Sequence, residues 1–219
     1  MQHTDKSYDR LAWLYDAVAH LYSGGQIHAL KNSQIGELQP GNRVLYAGVG
    51  GGEDAVLAAK HHVILTVLDS SPVMLERAAR KFRAAGAQDA IEIVCSDVLK
   101  HERPAYYDII VANFFLNIFS ESTMKVVLAH LATMTKPGGK ILIGDFSYPH
   151  GWLARRTIQR IYYLLSMSSF WLFGGTTLHP IYNYPRYFEA VNLRTLSVKH
   201  FRVNALFPAS FETITAVKM

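Results

Sequence analysis

The chain has 219 residues, of which 50% are hydrophobic, 18% are charged and one is cysteine. That composition excludes wholesale disorder, an internal disulfide framework and a multi-cysteine zinc site. Lysine and arginine number 22 against 17 acids, a net charge of +5. This permits contact with nucleic acid or anionic lipid, but no dense basic run points to either.

The opening Met1-Gln2-His3-Thr4-Asp5-Lys6 is polar and leads into no apolar h-region, so a signal peptide is not expected. A lone Cys95 fits a reducing, cytoplasmic compartment. Tyr8, Leu11, Ala12, Leu14, Tyr15, Val18 and Leu21 recur at helical spacing, and Ser23-Gly24-Gly25 breaks the pattern. A second helix is expected over 27–38, ended by Pro40-Gly41.

The rhythm then changes. Short apolar runs at 43–47, 63–68, 91–95, 107–112 and 140–144 predict five buried strands, and Cys95 is expected in the core with the third of them. Helices are expected between them. Ser71 and Pro72 suit the start of one over 72–85, closed by Gly86. Ser120 suits another, with Met124, Val127, Leu128 and Leu131 on one face. Pro137-Gly138-Gly139 should turn the chain into the fifth strand. Such alternation is the pattern of right-handed βαβ units on a parallel sheet. The tail differs: strands at 194–203 and 211–217 are joined by a loop too short for a parallel crossover, so the last strand should run antiparallel.

Between these parts lies an apolar stretch from Ile161 to Phe173, too short to span a bilayer as a helix. Arg155, Arg156 and Arg160 flank it. Two readings stay open: a buried helix end with a solvated start, or an interfacial helix touching lipid.

The candidate chemistry starts at Tyr46-Ala47-Gly48-Val49-Gly50-Gly51-Gly52-Glu53, a glycine-rich turn between a strand and a helix. Glycines there let backbone pass close to a ligand. The spacing is G-x-G-x-G, not the G-x-G-x-x-G of dinucleotide sites. Asp69 ends the second strand, where an acid can accept both hydroxyls of a ribose. Asp97 follows the third strand, where an acid can bond an adenine amino group. Asn113 ends the fourth. Four successive strand ends thus present Gly, Asp, Asp and Asn at the edge where open α/β sheets bind ligands.

The stretches VLYAGVGGGED, VLDSSPVMLERA, VCSDVL, YYDIIVANFFLNIF and KPGGKILIGDFS resemble those of class I S-adenosylmethionine-dependent methyltransferases. The resemblance implies a Rossmann-like α/β fold: a seven-stranded, mainly parallel sheet with an antiparallel last strand and helices on both faces. It implies S-adenosylmethionine as cofactor. Gly48, Gly50 and Gly52, with Tyr46 and Ala47, would pass its methionine part. Asp69, Ser70 and Met74 would frame the ribose, Asp97 and Val98 the adenine, and Asn113 the sulfonium region. Within the family, YDRLAWLYD at 8–16 and Gly144-Asp145-Phe146-Ser147-Tyr148-Pro149 resemble the ubiquinone/menaquinone C-methyltransferase group, and Tyr15 of the first stretch joins the expected cofactor-binding set. One departure stands out. The family places an acid where this chain has Tyr46, and a phenol carries no charge at neutral pH. Glu53 is the candidate substitute, and a non-methylating cofactor-binding protein is the alternative.

On this reading the chain is one methyltransferase domain: an N-terminal helical cover over 1–40, a cofactor-binding core over 41–147, a substrate cover over 148–190 and final strands over 191–219. The aromatic density of 148–190 suits a small apolar or aromatic acceptor such as a quinone or phenol. His150 and His179 are the candidate bases. His20 and His28 are less favoured, and His61-His62 falls at the wrong edge of the sheet. No metal constellation is visible. An NAD-dependent oxidoreductase would explain the glycines and Asp69, but neither Asp97 nor Pro137-Gly138-Gly139. An aminopropyltransferase-like enzyme lacks amine-site acids here. RNA methylation fits the basic charge, yet there is no appended RNA-binding domain and no N-P-P-Y-type motif at Asn113-Phe114-Phe115-Leu116. The expected partners are therefore a small-molecule substrate and, through the basic flank, a membrane surface at its periphery, with nucleic acid not expected.

Overall fold

The computed structural model of the protein describes residues 23–87, 91–174, 180–204 and 208–219, with backbone only over 166–174. The expected first helix, Tyr15 and His179 lie outside the described residues.

Seven strands form one sheet in the order β3-β2-β1-β4-β5-β7-β6. They are β1 Arg43–Ala47, β2 Ile64–Asp69, β3 Ile91–Cys95, β4 Tyr107–Asn113, β5 Thr135–Phe146, β6 Leu193–Phe201 and β7 Phe211–Lys218. The first five run parallel, and β7 is antiparallel to both its neighbours. The strand order reverses between β1 and β4, so a crevice opens beyond their carboxyl ends, where open α/β sheets place ligands.

The helices are α1 Gln26–Ile35, α2 Glu53–Ala59, α3 Pro72–Ala84, α4 Glu121–Met134, α5 Leu153–Gly174 and a single turn, α6, Pro185–Phe188. Local chemistry sets two of these starts. The Ser71 hydroxyl accepts from the Met74 amide at 3.4 Å ahead of α3, and Ser120 accepts from Thr123 at 3.3 Å ahead of α4. Leu75, Ala78 and Phe82 of α3 are buried, as are Met124, Val127, Leu128 and Leu131 of α4.

The alternation of strand side chains divides the core by sheet face. Leu45, Ile110 and Ile141 pack with α4 and with Tyr182, Tyr184 and Phe188. Val44, Tyr46 and Val67 pack on the other face with Ala55 of α2 and Phe82 of α3. A third cluster joins Leu30 of α1, Phe146, Phe211 and Tyr163 of α5 at the carboxyl edge.

Three sequence expectations need correction. Cys95 is exposed, because β3 is an edge strand and most of its side chains are only partly covered. The fifth strand begins at Thr135 rather than Lys140: Pro137-Gly138-Gly139 lies within it, beside a register shift against β4. Gly139 tolerates no side chain there, since a Cβ would meet the Asp108 carbonyl at 2.9 Å. The reading of 161–173 as a buried helix end holds for only one face of its described part: Tyr163 is buried and Tyr162 half-buried, whereas Ile161, Leu164 and Leu165 are exposed. His61 and His62 are solvated, as expected.

Candidate active site

The glycine turn is built by close approach. Gly48 and Val49 amides both donate to the Leu68 carbonyl, at 2.8 and 3.1 Å, which draws the turn back over β2. Gly48 has φ +68°, and a Cβ there would lie 2.2 Å from the Phe115 ring. Gly50, at φ +52°, has nothing within 4 Å of a Cβ position. The turn is thus packed from below and open at Gly50.

Asp69 ties this turn to the next strand end. One carboxylate oxygen accepts from the Gly50 amide at 3.1 Å, the other from the Ser71 amide at 2.9 Å. Each oxygen keeps a free lone pair for a further donor. Ser70 is exposed and Met74 half-buried beside it. Asp97 is exposed and accepts from the Leu99 amide at 2.9 Å, capping a short 3-10 turn whose Val98 is buried.

Asn113 sits at the end of β4, across the crevice from the glycine turn. Its amide is held on two sides. It exchanges hydrogen bonds with the Gln34 amide of α1, at 2.8 and 2.9 Å, and donates to Asp54 of α2 at 2.9 Å. Gln34 also donates to Thr213 at 2.8 Å. Asp54 in turn accepts from Lys31 at 3.3 Å and is only 4% exposed. Both amide hydrogens of Asn113 are therefore engaged, leaving its oxygen one lone pair.

Tyr46 does not face this crevice. It is buried under α2, where its hydroxyl donates to the Asp54 carbonyl at 3.4 Å. Burial, and then the Asp54 charge, hold its phenol well above the usual range. Glu53 is turned outward onto Lys81 at 2.6 Å. Burial alone would raise its carboxyl, but the Lys81 hydrogen bond and charge outweigh it and lower it. The buried carboxylate at this corner is Asp54. Sequence reading missed it because nothing in the local motif separates an inward Asp54 from an outward Glu53.

Beyond Asn113 the chain turns sharply. Phe114 adopts φ +51°, a left-handed conformation costly for an aromatic residue. That bend delivers its ring edge-on to Phe146 and Phe211, at 5.9 and 6.0 Å. Tyr162 and Tyr163 of α5 close the same aromatic wall.

Two buried carboxyls flank it, neither singled out by the sequence. Asp145 accepts from Asn117 and from the Phe146 amide, each at 2.7 Å, and from the Tyr184 hydroxyl. Burial pushes its carboxyl up to about 7, against the opposing pull of these donors. Glu212 accepts from the Ser147 hydroxyl at 3.0 Å and lies 3.4 Å from His200. Burial raises its carboxyl and lowers His200, which the neighbouring His150 also lowers. The His150 and His200 ring centroids lie 4.8 Å apart, with the rings tilted by 33°. His150 is exposed, and its Nδ1 is 3.0 Å from the Tyr148 carbonyl. Sequence could not bring His200 and Glu212 to His150, since they arrive from β6 and β7. A shallow concavity lined by Glu102, Arg103 and His130 lies at the opposite edge of the sheet and takes no part.

Residues 44–139 match a methyltransferase domain family. A search of curated proteins finds no match to the sequence. Among solved structures, magnesium protoporphyrin IX methyltransferase from Synechocystis PCC 6803, solved with bound S-adenosylhomocysteine, superposes with a TM-score of 0.70 at 14% identity. The match covers 98% of this chain and 95% of that one. The mitomycin 7-O-methyltransferase MmcR gives 0.71 at 16% identity, covering 99% of this chain and 59% of that one. The [4+2]-cyclase SpnF gives 0.64 at 15% identity, covering 94% and 80%. Together, the sheet order and these likenesses show the fold of class I S-adenosylmethionine-dependent methyltransferases, within which residues 44–139 match the methyltransferase domain family.

Proposed function

We propose that the protein binds S-adenosylmethionine and transfers its methyl group to a small apolar or aromatic acceptor, a phenol or quinone being the class that the aromatic wall favours. The observation that carries this is the Asp69 carboxylate bonded to Gly50, beside the open side of the glycine turn. A ribose needs an acceptor with lone pairs to spare, and a close-passing ligand chain needs a turn without side chains. Both are present at the strand-order reversal, so the residues fit the cofactor.

When bound, the cofactor supplies an electrophilic methyl on a sulfonium. Asp69 would hold the ribose and Asp97 the adenine edge, with Met74 and Val98 packing beside them. Gly48 and Gly50 would pass the methionine chain. That end of the cofactor carries both an ammonium and a carboxylate, and the Asp54–Lys31 pair offers the two complementary charges. In this account Asp54 takes the role of the acid that Tyr46 displaces. Positioning dominates methyl transfer: Phe114, Phe146 and Phe211 would hold a flat acceptor at the end of β4. His150 would take the acceptor proton, with His200 and Glu212 holding its surroundings. In the division of the chain, 41–147 would bind cofactor while 1–40 and 148–190 would cover it and the acceptor.

A second reading is a cofactor-binding protein that does not methylate. The replacement of the usual acid by a buried Tyr46 favours it, and the fold is shared with a cyclase. Turnover with S-adenosylmethionine and a panel of phenols and quinones separates the two. Methylated product supports the proposal. Cofactor binding with no product across the panel supports the second reading.

A further inference from the structure

The outward face of α5 is apolar. Leu153, Ile158, Ile161, Leu164 and Leu165 are between 42% and 79% exposed, and Trp152 just ahead of them is 68% exposed. At about 100° per residue these five positions fall within an arc of roughly 140°. The inward face is set by Gln159, whose amide donates to the Ala209 carbonyl at 2.7 Å, and by Tyr163 on the Phe146 ring. Arg156 and Arg160 border the apolar arc on one side and Arg155 on the other, all three exposed. The helix contains no acid. A water-facing helix surface has the opposite pattern, polar outward and apolar inward.

Charge is segregated in the same region. Residues 148–204 hold seven of the 22 lysines and arginines and one of the 17 acids, Glu189. The rest of the chain holds 15 and 16, close to neutral. The excess positive charge therefore sits in the segment that carries the exposed apolar arc. A second copy of this face would bring like charges together. An anionic lipid surface complements both features, since acyl chains accept the leucines while headgroup phosphates meet the flanking arginines.

We propose that α5 is an in-plane membrane anchor, seated at the headgroup level of an anionic bilayer with Leu153, Ile161, Leu164 and Leu165 toward the acyl chains. No described helix is long and apolar enough to cross a membrane, so the contact is with one leaflet. This inference is independent of methyl transfer.

The test is co-sedimentation of the full chain with vesicles of phosphatidylcholine alone or with about one third phosphatidylglycerol. Each arginine near the surface favours the anionic vesicles by about fivefold, so three give a preference on the order of a hundredfold. Salt should erode the preference. Leu153→Asp/Leu165→Asp, at two exposed positions, should abolish binding while leaving the unfolding midpoint in place. Arg155→Gln/Arg156→Gln/Arg160→Gln should remove the anionic preference. Failure to sediment with either vesicle would overturn the inference. So would sedimentation unaffected by the leucine variant, or a dimer in sedimentation equilibrium that the leucine variant dissociates.

Discussion

The carboxyl group of Asp145 gives a stability test whose sign is fixed by its surroundings. It is buried, and its folded-state value of about 7 lies some three units above the ordinary 3.8. A raised carboxyl keeps its proton in the folded protein over a range where the unfolded chain has lost it. Stability from this group is therefore present at low pH and is lost as pH rises from about 4 to about 7. The full loss is about 4 kcal/mol at 1.4 kcal/mol per unit, of which about 2 kcal/mol falls between about pH 5.5 and 8.5. Asp145→Asn has the same shape and no titration. Its carbonyl can still accept from Asn117 and the Phe146 amide, and its amide can donate to the Tyr184 oxygen. Urea unfolding of wild type and variant at those two pH values isolates the term together with its coupling to the nearby Glu212, since titrating groups that do not interact with Asp145 cancel in the difference. The variant should gain about 2 kcal/mol on wild type between about pH 5.5 and 8.5. Parallel profiles would show that Asp145 does not titrate in this range and that its carboxyl is not raised by burial.

Other substitutions probe the crevice. Gly48→Ala should cost about 1–2 kcal/mol for its left-handed backbone and more for the contact with Phe115, and Phe115→Leu should recover only the second part, read from urea midpoints. Tyr46→Asp should lower the unfolding midpoint sharply, because it buries a carboxylate among apolar side chains under α2. Tyr46→Phe should cost about 1 kcal/mol or less. A Tyr46→Asp protein that is stable and binds cofactor more tightly would place this side chain in the crevice after all. Asp54→Asn removes the charge facing Lys31 and weakens the bond from Asn113, and should lower S-adenosylmethionine affinity by about ten- to a hundredfold in calorimetry. Unchanged affinity would remove Asp54 from the site.

Much of this frame is legible in the sequence. The β-branched runs and short connections announced parallel strands, and the short link between the last two announced the antiparallel β7. Ser71, Pro72 and Ser120 marked helix starts through chemistry that acts within three residues. Periodicity cannot tell which strand lies at a sheet edge, so it puts Cys95 in the core, whereas the thiol is exposed on the edge strand β3. Nor could it orient α5, whose apolar residues run round most of the helix. At the candidate site, Asp69 and Asn113 can be picked out in the sequence because each ends a strand, and Asp97 because it lies two residues beyond one. Lys31, Gln34, Asp54 and Thr213 join Asn113 in one hydrogen-bonded group but come from three other elements, with bonded partners up to 179 positions apart. No local pattern carries that information. Phe114 shows the same limit, since only the fold imposes its left-handed backbone.

Calorimetric titration of the wild type and Asp69→Ala tests S-adenosylmethionine binding through Asp69 directly. The wild type should bind both S-adenosylmethionine and its demethylated product. Loss of hydrogen bonds to a charged acceptor is worth about 1.5–3 kcal/mol, so the variant should bind about ten- to a hundredfold more weakly. The unfolding midpoint must be recorded alongside, because Asp69 also ties Gly50 to Ser71. A wild type that binds neither compound, or a folded Asp69→Ala that binds them as well as wild type does, would contradict the account.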